Sequence, residues 1–84
     1  NTAIKRTGRD RFVRNVLIAI GNSGEPALAG EAERLLDDPS PLVRGAAVWA
    51  LRRLAGDRAR TLAASRLPAE SDPTVVEEWS AALT

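Results

Sequence analysis

Apolar residues recur along the chain at helical spacing in three similar stretches. The first carries Phe12, Val13, Val16, Leu17 and Ile20, the second Val43, Ala46, Ala47, Ala50, Leu51 and Leu54, and the third Val75, Val76, Trp79, Ala82 and Leu83. Residues three and four apart lie on one face of an α-helix, so each stretch predicts an amphipathic helix. Anchored on Val13, Val43 and Val75, the copies stand 30 and 32 residues apart, a spacing typical of helix-pair repeats. Two weaker amphipathic segments fill the gaps, one with Leu28, Ala32, Leu35 and Leu36, the other with Leu62, Ala63 and Leu67. The predicted order is helices over residues 9–21, 26–36, 41–55, 57–67 and 73–83, behind a flexible basic lead-in of residues 1–8.

The boundaries have local causes. Ser40 and Asp72 each offer a side-chain oxygen to the first free backbone N–H groups of a helix, and Pro41 and Pro73 follow at the first helical position, where no N–H is needed. The turns DDPS and ESDPT are short and rich in Asp, Pro and Ser, as tight helix–helix connections require. Gly56 is expected to end the middle helix in a left-handed conformation, and Gly21-Asn22 with Gly24 to end the first. Such helix pairs bury their apolar stripes only by stacking, so the fold class is all-α, an α-solenoid of about two and a half repeats in a single domain. Residues 1–8 are too few to form a partner helix for the first copy. One of its flanks should therefore stay uncovered unless those residues, or a segment further upstream, fold across it.

The segment DPSPLVRGAAVWALRRLAG resembles the HEAT-like repeat family in its Asp38-Pro39 turn, Val43-Arg44 pair and Ala47, Ala50 and Leu51 helix. A narrower resemblance runs from Ile4 to Gly24, IKRTGRDRFVRNVLIAIGNSG. It is similar to the start of the C-terminal helical domain of epoxyqueuosine reductases, where a basic stretch leads into an Arg-Asn helix ending in Gly-Asn. The matching residues here are Lys5, Arg6, Gly8, Arg14-Asn15 and Gly21-Asn22, and the following repeat extends the likeness over nearly the whole chain. The resemblance implies a parent oxidoreductase that carries cobalamin and two 4Fe-4S iron-sulfur clusters and makes the last reduction of queuosine synthesis on tRNA. It also implies a helical domain that helps hold the tRNA, next to an upstream catalytic domain of the same parent chain.

Composition narrows the chemistry of this piece. The 84 residues include no Cys and no His, which removes disulfides, thiolate and imidazole catalysis, and the common zinc and iron–sulfur ligand sets. None of the cofactors implied for the parent can be carried over to these residues, and no nucleophile–base pair can be assembled from them. The absence of Met suggests a piece cut from a larger protein. Val16 to Ile20, the longest apolar run, is far too short to span a membrane, and no export signal is evident. A cytoplasmic, monomeric fragment without catalysis of its own is the expectation.

Net charge is +1, yet residues 1–24 carry +4, 25–40 carry −4, 41–68 carry +5 and 69–84 carry −4. The first block supplies the candidate nucleic-acid-binding residues Lys5, Arg6, Arg9, Arg11 and Arg14. Arginine pairs with phosphate through two parallel N–H donors, and a cluster of cations raises local affinity for a polyanion. Lys5, Arg6 and Arg9 form the tighter group, because Arg9 and Arg11 are two apart and point in different directions on a helix. Phe12 is the one aromatic among them and belongs to the apolar stripe, which favours phosphate and shape recognition over base stacking. The competing reading is a solvated basic face, with arginine stems covering apolar surface.

Arg14 and Arg44 share a repeat position, where an arginine can bind acidic or carbonyl groups of the adjacent turn. Arg52, Arg53, Arg58, Arg60 and Arg66 read as helix-end and surface charge, and Trp49 and Trp79 as packing residues. Asp37-Asp38 and Glu77-Glu78 read as solvated charge rather than paired catalytic carboxylates. The alternative to tRNA binding is a protein-interaction scaffold, for which an exposed apolar groove around Trp49 or Trp79 would be the sign.

Overall fold

Ser40 accepts a hydrogen bond at Oγ from the Val43 N–H (3.5 Å), and Asp72 accepts at Oδ1 from the N–H groups of Thr74 (2.9 Å) and Val75 (3.2 Å). These two caps start the middle and last repeated helices where the sequence predicts, with proline in the first turn of each. A computed structural model describes the backbone of residues 2–84 and the side chains from Lys5 onward. Among the described residues the elements are α1 (Thr2–Asn22), α2 (Ala29–Arg34), α3 (Pro41–Leu54), α4 (Gly56–Arg66) and α5 (Pro73–Ala82). Short 3₁₀ turns flank the inner helices at Pro26–Leu28, Leu35–Asp37 and Leu67–Ala69. No strand occurs among these residues.

The three repeated helices α1, α3 and α5 lie side by side as one layer, α1 against α3 and α3 against α5. Helix α2 packs on α3, and α4 packs on both α3 and α5, forming the second layer. The Cα positions extend 40 × 29 × 16 Å. The smallest extent is slightly more than the roughly 13–15 Å that two helix layers about 8–10 Å apart occupy once the radius of about 2.3 Å of each Cα cylinder is added. Between the layers lies one core. Leu17, Val43, Ala47, Leu51 and Val75 from the first layer and Ala32, Ala59 and Ala63 from the second are fully buried, with Leu36 and Trp79 nearly so. Alanines supply most of the second layer's share, which lets short helices approach closely.

Gly21 fixes how α1 meets α3. A Cβ there would fall on Trp49 Cζ3 and within 3.1 Å of Ala50 Cα, so only glycine lets the Trp49 ring edge settle against the α1 backbone. Trp79 is buried and Trp49 half-buried, and both act in packing.

Three expectations need correction. Residues 2–8 are the first turns of α1 rather than a flexible lead-in. They contribute no apolar stripe, which is why periodicity misses them; the helix propagates backward from its packed half, each added residue gaining one backbone hydrogen bond once the helix is nucleated. The segment predicted as one helix over 26–36 is a short α2 between two 3₁₀ turns. Gly56 does not end α3 in a left-handed turn. It opens α4, and the junction falls on Ala55, extended at φ −150° and ψ 67°; Gly24, at φ +68°, is the described residue with positive φ.

Candidate nucleic-acid interface

The five cations singled out by sequence all lie on α1, but they divide into two groups. Arg9 is engaged: Nη2 donates to Asp38 Oδ1 at 2.6 Å, and Nη1 donates to Asp38 Oδ2 and Asp10 Oδ1 at 3.0 Å each. Asp38 is 8% exposed and also accepts from the Ser40 N–H at 3.0 Å. It is therefore a buried structural carboxylate, not the solvated charge expected. The Arg9 hydrogen bonds hold its carboxyl below the ordinary aspartate range against the opposing effect of burial, and raise the Arg9 guanidinium in turn. Arg9 fastens α1 to the turn before α3 and is withdrawn from the candidate site.

Lys5, Arg6, Arg11 and Arg14 are exposed and form no ion pair among the described residues. Arg6 borders a depression with Asp10, Pro39, Ser40 and Pro41. Arg14 borders a second one, which begins on the far side of the same Pro41. Arg6 and Arg14 thus flank the α2–α3 turn, with Arg11 three residues before Arg14 on α1. They can meet successive phosphates without giving up an existing carboxylate.

Most other arginines are spent across repeats. Arg44 donates from Nε and Nη2 to the two oxygens of Glu70, at 2.9 Å each, and from Nη1 to the carbonyls of Asp38 and Pro39 at 3.0 Å. This is the role expected of Arg44. Arg14, at the equivalent position, does not take it, because Arg9 already occupies Asp38. Glu70 resembles Asp38 closely: its carboxyl is held below the usual range by Arg44, and it accepts from the Asp72 N–H two residues on at 3.0 Å. Arg52 binds Glu78, Arg58 binds Glu33 and Arg66 binds Asp37. Arg53 donates to the Gly21 carbonyl at 3.0 Å and lies 5.2 Å above the Trp49 ring. Arg60 is exposed without an ion pair among the described residues.

The second depression is a groove of about 580 Å³ between α1, α3 and α5. Ile18, Leu42, Ala46 and Trp49 make it apolar, with Arg14 on the α1 wall and Asp72 and Glu78 on the α5 wall. No group of three or more Asp or Glu suited to a metal ion occurs among the described residues. No described helix is long and apolar enough to cross a membrane.

Sequence reasoning missed the paired carboxylates. The signal was available in the repeat itself, since Asp38 and Glu70 stand 32 residues apart, the same offset as Val43 and Val75.

Residues 3–84 match the HEAT repeats family. The chain is also similar to the epoxyqueuosine reductase of Listeria monocytogenes, 32% identical over 75 residues that make 88% of this chain and 20% of the relative. The epoxyqueuosine reductases of Bacillus cereus and Bacillus anthracis are each 31% identical over 80 residues, 90% of this chain and 20% of theirs. The chain spans about a fifth of the length of the curated relatives it matches. No solved structure matches it. With stacked helix pairs, Asp-Pro turns and a match along almost its full length, the chain belongs to the HEAT-repeat family.

Proposed function

We propose that this chain is the helical-repeat part of a cytoplasmic epoxyqueuosine reductase, and that it binds and positions tRNA without doing chemistry itself. The likeness to three such reductases supports the parent. The observation that carries the tRNA reading is the set Lys5, Arg6, Arg11 and Arg14, exposed on one helix and unpaired among the described residues while most other arginines are matched to carboxylates. Phosphate binding releases counterions in proportion to the cations engaged, so such a cluster gives salt-dependent affinity for RNA. The reductase's 4Fe-4S clusters do not fit this chain, which has neither Cys nor His to ligate them; on this reading the clusters and cobalamin sit in the upstream catalytic domain of the same parent.

Filter-binding titration with tRNA tests the proposal, on this chain and on the longer protein. Changing Arg6, Arg11 and Arg14 together to Ala should weaken binding and lower the salt dependence by about two to three ions. Unchanged affinity and slope would remove the assigned surface. The groove around Trp49 supports a second reading, a scaffold that docks another protein through apolar contacts; binding that ignores salt but is lost on Leu42→Glu would favour it.

A further inference from the structure

The arginines of α3 and α4 that read from sequence as surface charge separate in the fold. Arg58 and Arg66 reach back to Glu33 and Asp37 of the preceding unit. Arg52, Arg53 and Arg60 instead converge on a cavity of about 300 Å³ at the α3–α4 joint, lined also by Trp49 and the end of α5. Its volume is about ten times the roughly 30 Å³ that one water takes up in the liquid, enough for a phosphate group and the waters around it.

These three guanidiniums carry donors that the chain itself leaves unengaged. The Arg60 side chain is exposed and makes no hydrogen bond or ion pair among the described residues. Arg52 gives Nη1 to Glu78 at 2.7 Å, and its Nε and Nη2 bond to nothing among them. Arg53 is held by neutral groups: Nε donates to the Gly21 carbonyl at 3.0 Å, and the guanidinium lies 5.2 Å from the centre of the Trp49 ring. Both of its Nη groups remain for another acceptor.

The setting of Arg53 differs from that of the other anchored arginines. Arg9 and Arg44 are fixed by carboxylates, which also neutralise them. A carbonyl and a ring face fix the Arg53 guanidinium but leave its charge intact, so the cost of ordering a long side chain falls on folding rather than on binding. Parallel guanidinium donors match the oxygens of a phosphate. The carboxylate in the lining is Asp57, exposed and without an ion pair among the described residues. Three cations thus face one anion, with Glu78 offsetting part of Arg52 from outside the lining.

Trp49 also lines the groove that Arg14 borders. Groove and cavity meet at this side chain, so a strand lying across Arg14 can run on toward Arg53. Ala46, in the groove, and Arg53 are seven residues apart, about 10 Å along α3, a distance covered by a few nucleotides.

We propose that the cavity lined by Arg52, Arg53 and Arg60 is a second phosphate-binding subsite, taking a backbone phosphate of the same RNA that meets the α1 cations. This rests on the tRNA reading and adds to it a contact on α3 and α4. The phosphate is held by charge and paired N–H donors, and no base is read.

Filter-binding titration of tRNA against salt tests it, on this chain and on the longer protein, with Arg60→Ala and Asp57→Asn beside the triple variant of Arg6, Arg11 and Arg14. The Arg60 and Asp57 side chains hold nothing together among the described residues, and a thermal melt confirms that each variant folds. Arg60→Ala should weaken binding about threefold to tenfold near 50 mM salt and reduce the salt slope by about one ion, while Asp57→Asn should tighten binding about twofold to threefold. Affinity that ignores both substitutions, or moves the same way in both, overturns the subsite. If the triple variant still weakens binding in that case, the tRNA reading stands without it; if the wild type shows no salt-dependent tRNA binding, both fall. Inorganic pyrophosphate supplies the remaining arm: an Arg60-dependent change in tryptophan emission on its addition, with tRNA binding indifferent to Arg60, assigns the cavity to a free phosphate ligand and likewise overturns the proposal.

Discussion

Arg44 grips Glu70 through two parallel hydrogen bonds of 2.9 Å, reaching from α3 to the turn that precedes α5. The side chains are only 20% and 9% exposed, and the remaining guanidinium donor is satisfied by the carbonyls of Asp38 and Pro39. The pair therefore ties three successive pieces of chain: the α2–α3 turn, α3 itself and the α4–α5 turn. Removing the arginine would leave a largely buried carboxylate and two carbonyls without their partner. Arg44→Ala should destabilise the chain by about 2 kcal/mol, less than the roughly 3–5 kcal/mol of breaking a fully buried pair because some solvent reaches this one. Urea unfolding followed by circular dichroism measures this. Arg44→Lys should recover less than half, since a single ammonium cannot reproduce the two-pronged geometry.

Acid should unfold the protein through the same contacts. Asp38 and Glu70 have folded-state carboxyls held below their ordinary values, chiefly by hydrogen bonds from Arg9 and Arg44. A depressed carboxyl contributes stability that is complete above its unfolded value, about 3.9 for Asp and 4.3 for Glu, and that is lost as pH falls through the lower folded value. Stability should thus begin to fall below about pH 5 and continue downward. With no His in the chain, the profile between about pH 6 and 8 should be flat. Urea midpoints across this range check the shape, and the double variant Arg9→Ala, Arg44→Ala should flatten the acid limb.

Two glycines of α1 should respond in opposite ways to the same substitution. Gly21→Ala places a methyl on the Trp49 ring and against Ala50 Cα. The overpacking should cost about 1–3 kcal/mol, more than alanine's helix preference returns. Gly8→Ala meets no atom within 4 Å and lies inside the helix. There the gain in helix propensity should stand alone, about 0.5–1 kcal/mol. Thermal melts order the three proteins, and a shift in tryptophan emission should accompany Gly21→Ala only.

On the proposed function, Arg9 and Arg14 should separate stability from tRNA binding. Arg9→Ala should lower the melting temperature, because Asp38 loses two hydrogen bonds, while tRNA affinity changes less than about twofold, beneath about 0.4 kcal/mol. Arg14→Ala should do the reverse, leaving the melt in place and weakening tRNA binding with a shallower salt slope. A thermal melt and a salt titration on both variants decide the assignment.

The repeat was legible because two independent signals coincide at each copy: a side-chain cap before proline and an apolar stripe behind it. Ser40-Pro41 and Asp72-Pro73 mark their helices within a residue at the start. Where only one signal exists, the reading fails. Thr2 to Gly8 lacks the stripe, and Gly56 looks like a terminator only because the uncapped joint at Ala55 leaves no trace in composition. The candidate site was half legible. That α1 is basic follows from counting charges; that Arg9 belongs to Asp38, 29 residues away, and Arg14 to nothing among the described residues follows only from which helix faces which turn.

The carboxylate before α3 and the one before α5 are each held by an arginine from the preceding repeated helix, Asp38 by Arg9 and Glu70 by Arg44. Residues 41–72 thus hold one complete clasp, Arg44 with Glu70. Duplicating them in tandem would give each copy both the arginine and the acid that fasten the turn before the next repeated helix. The chain can therefore be lengthened by whole units with every junction already matched in charge, whereas inserting half a unit would strand one member of a pair. Its architecture is counted in modules.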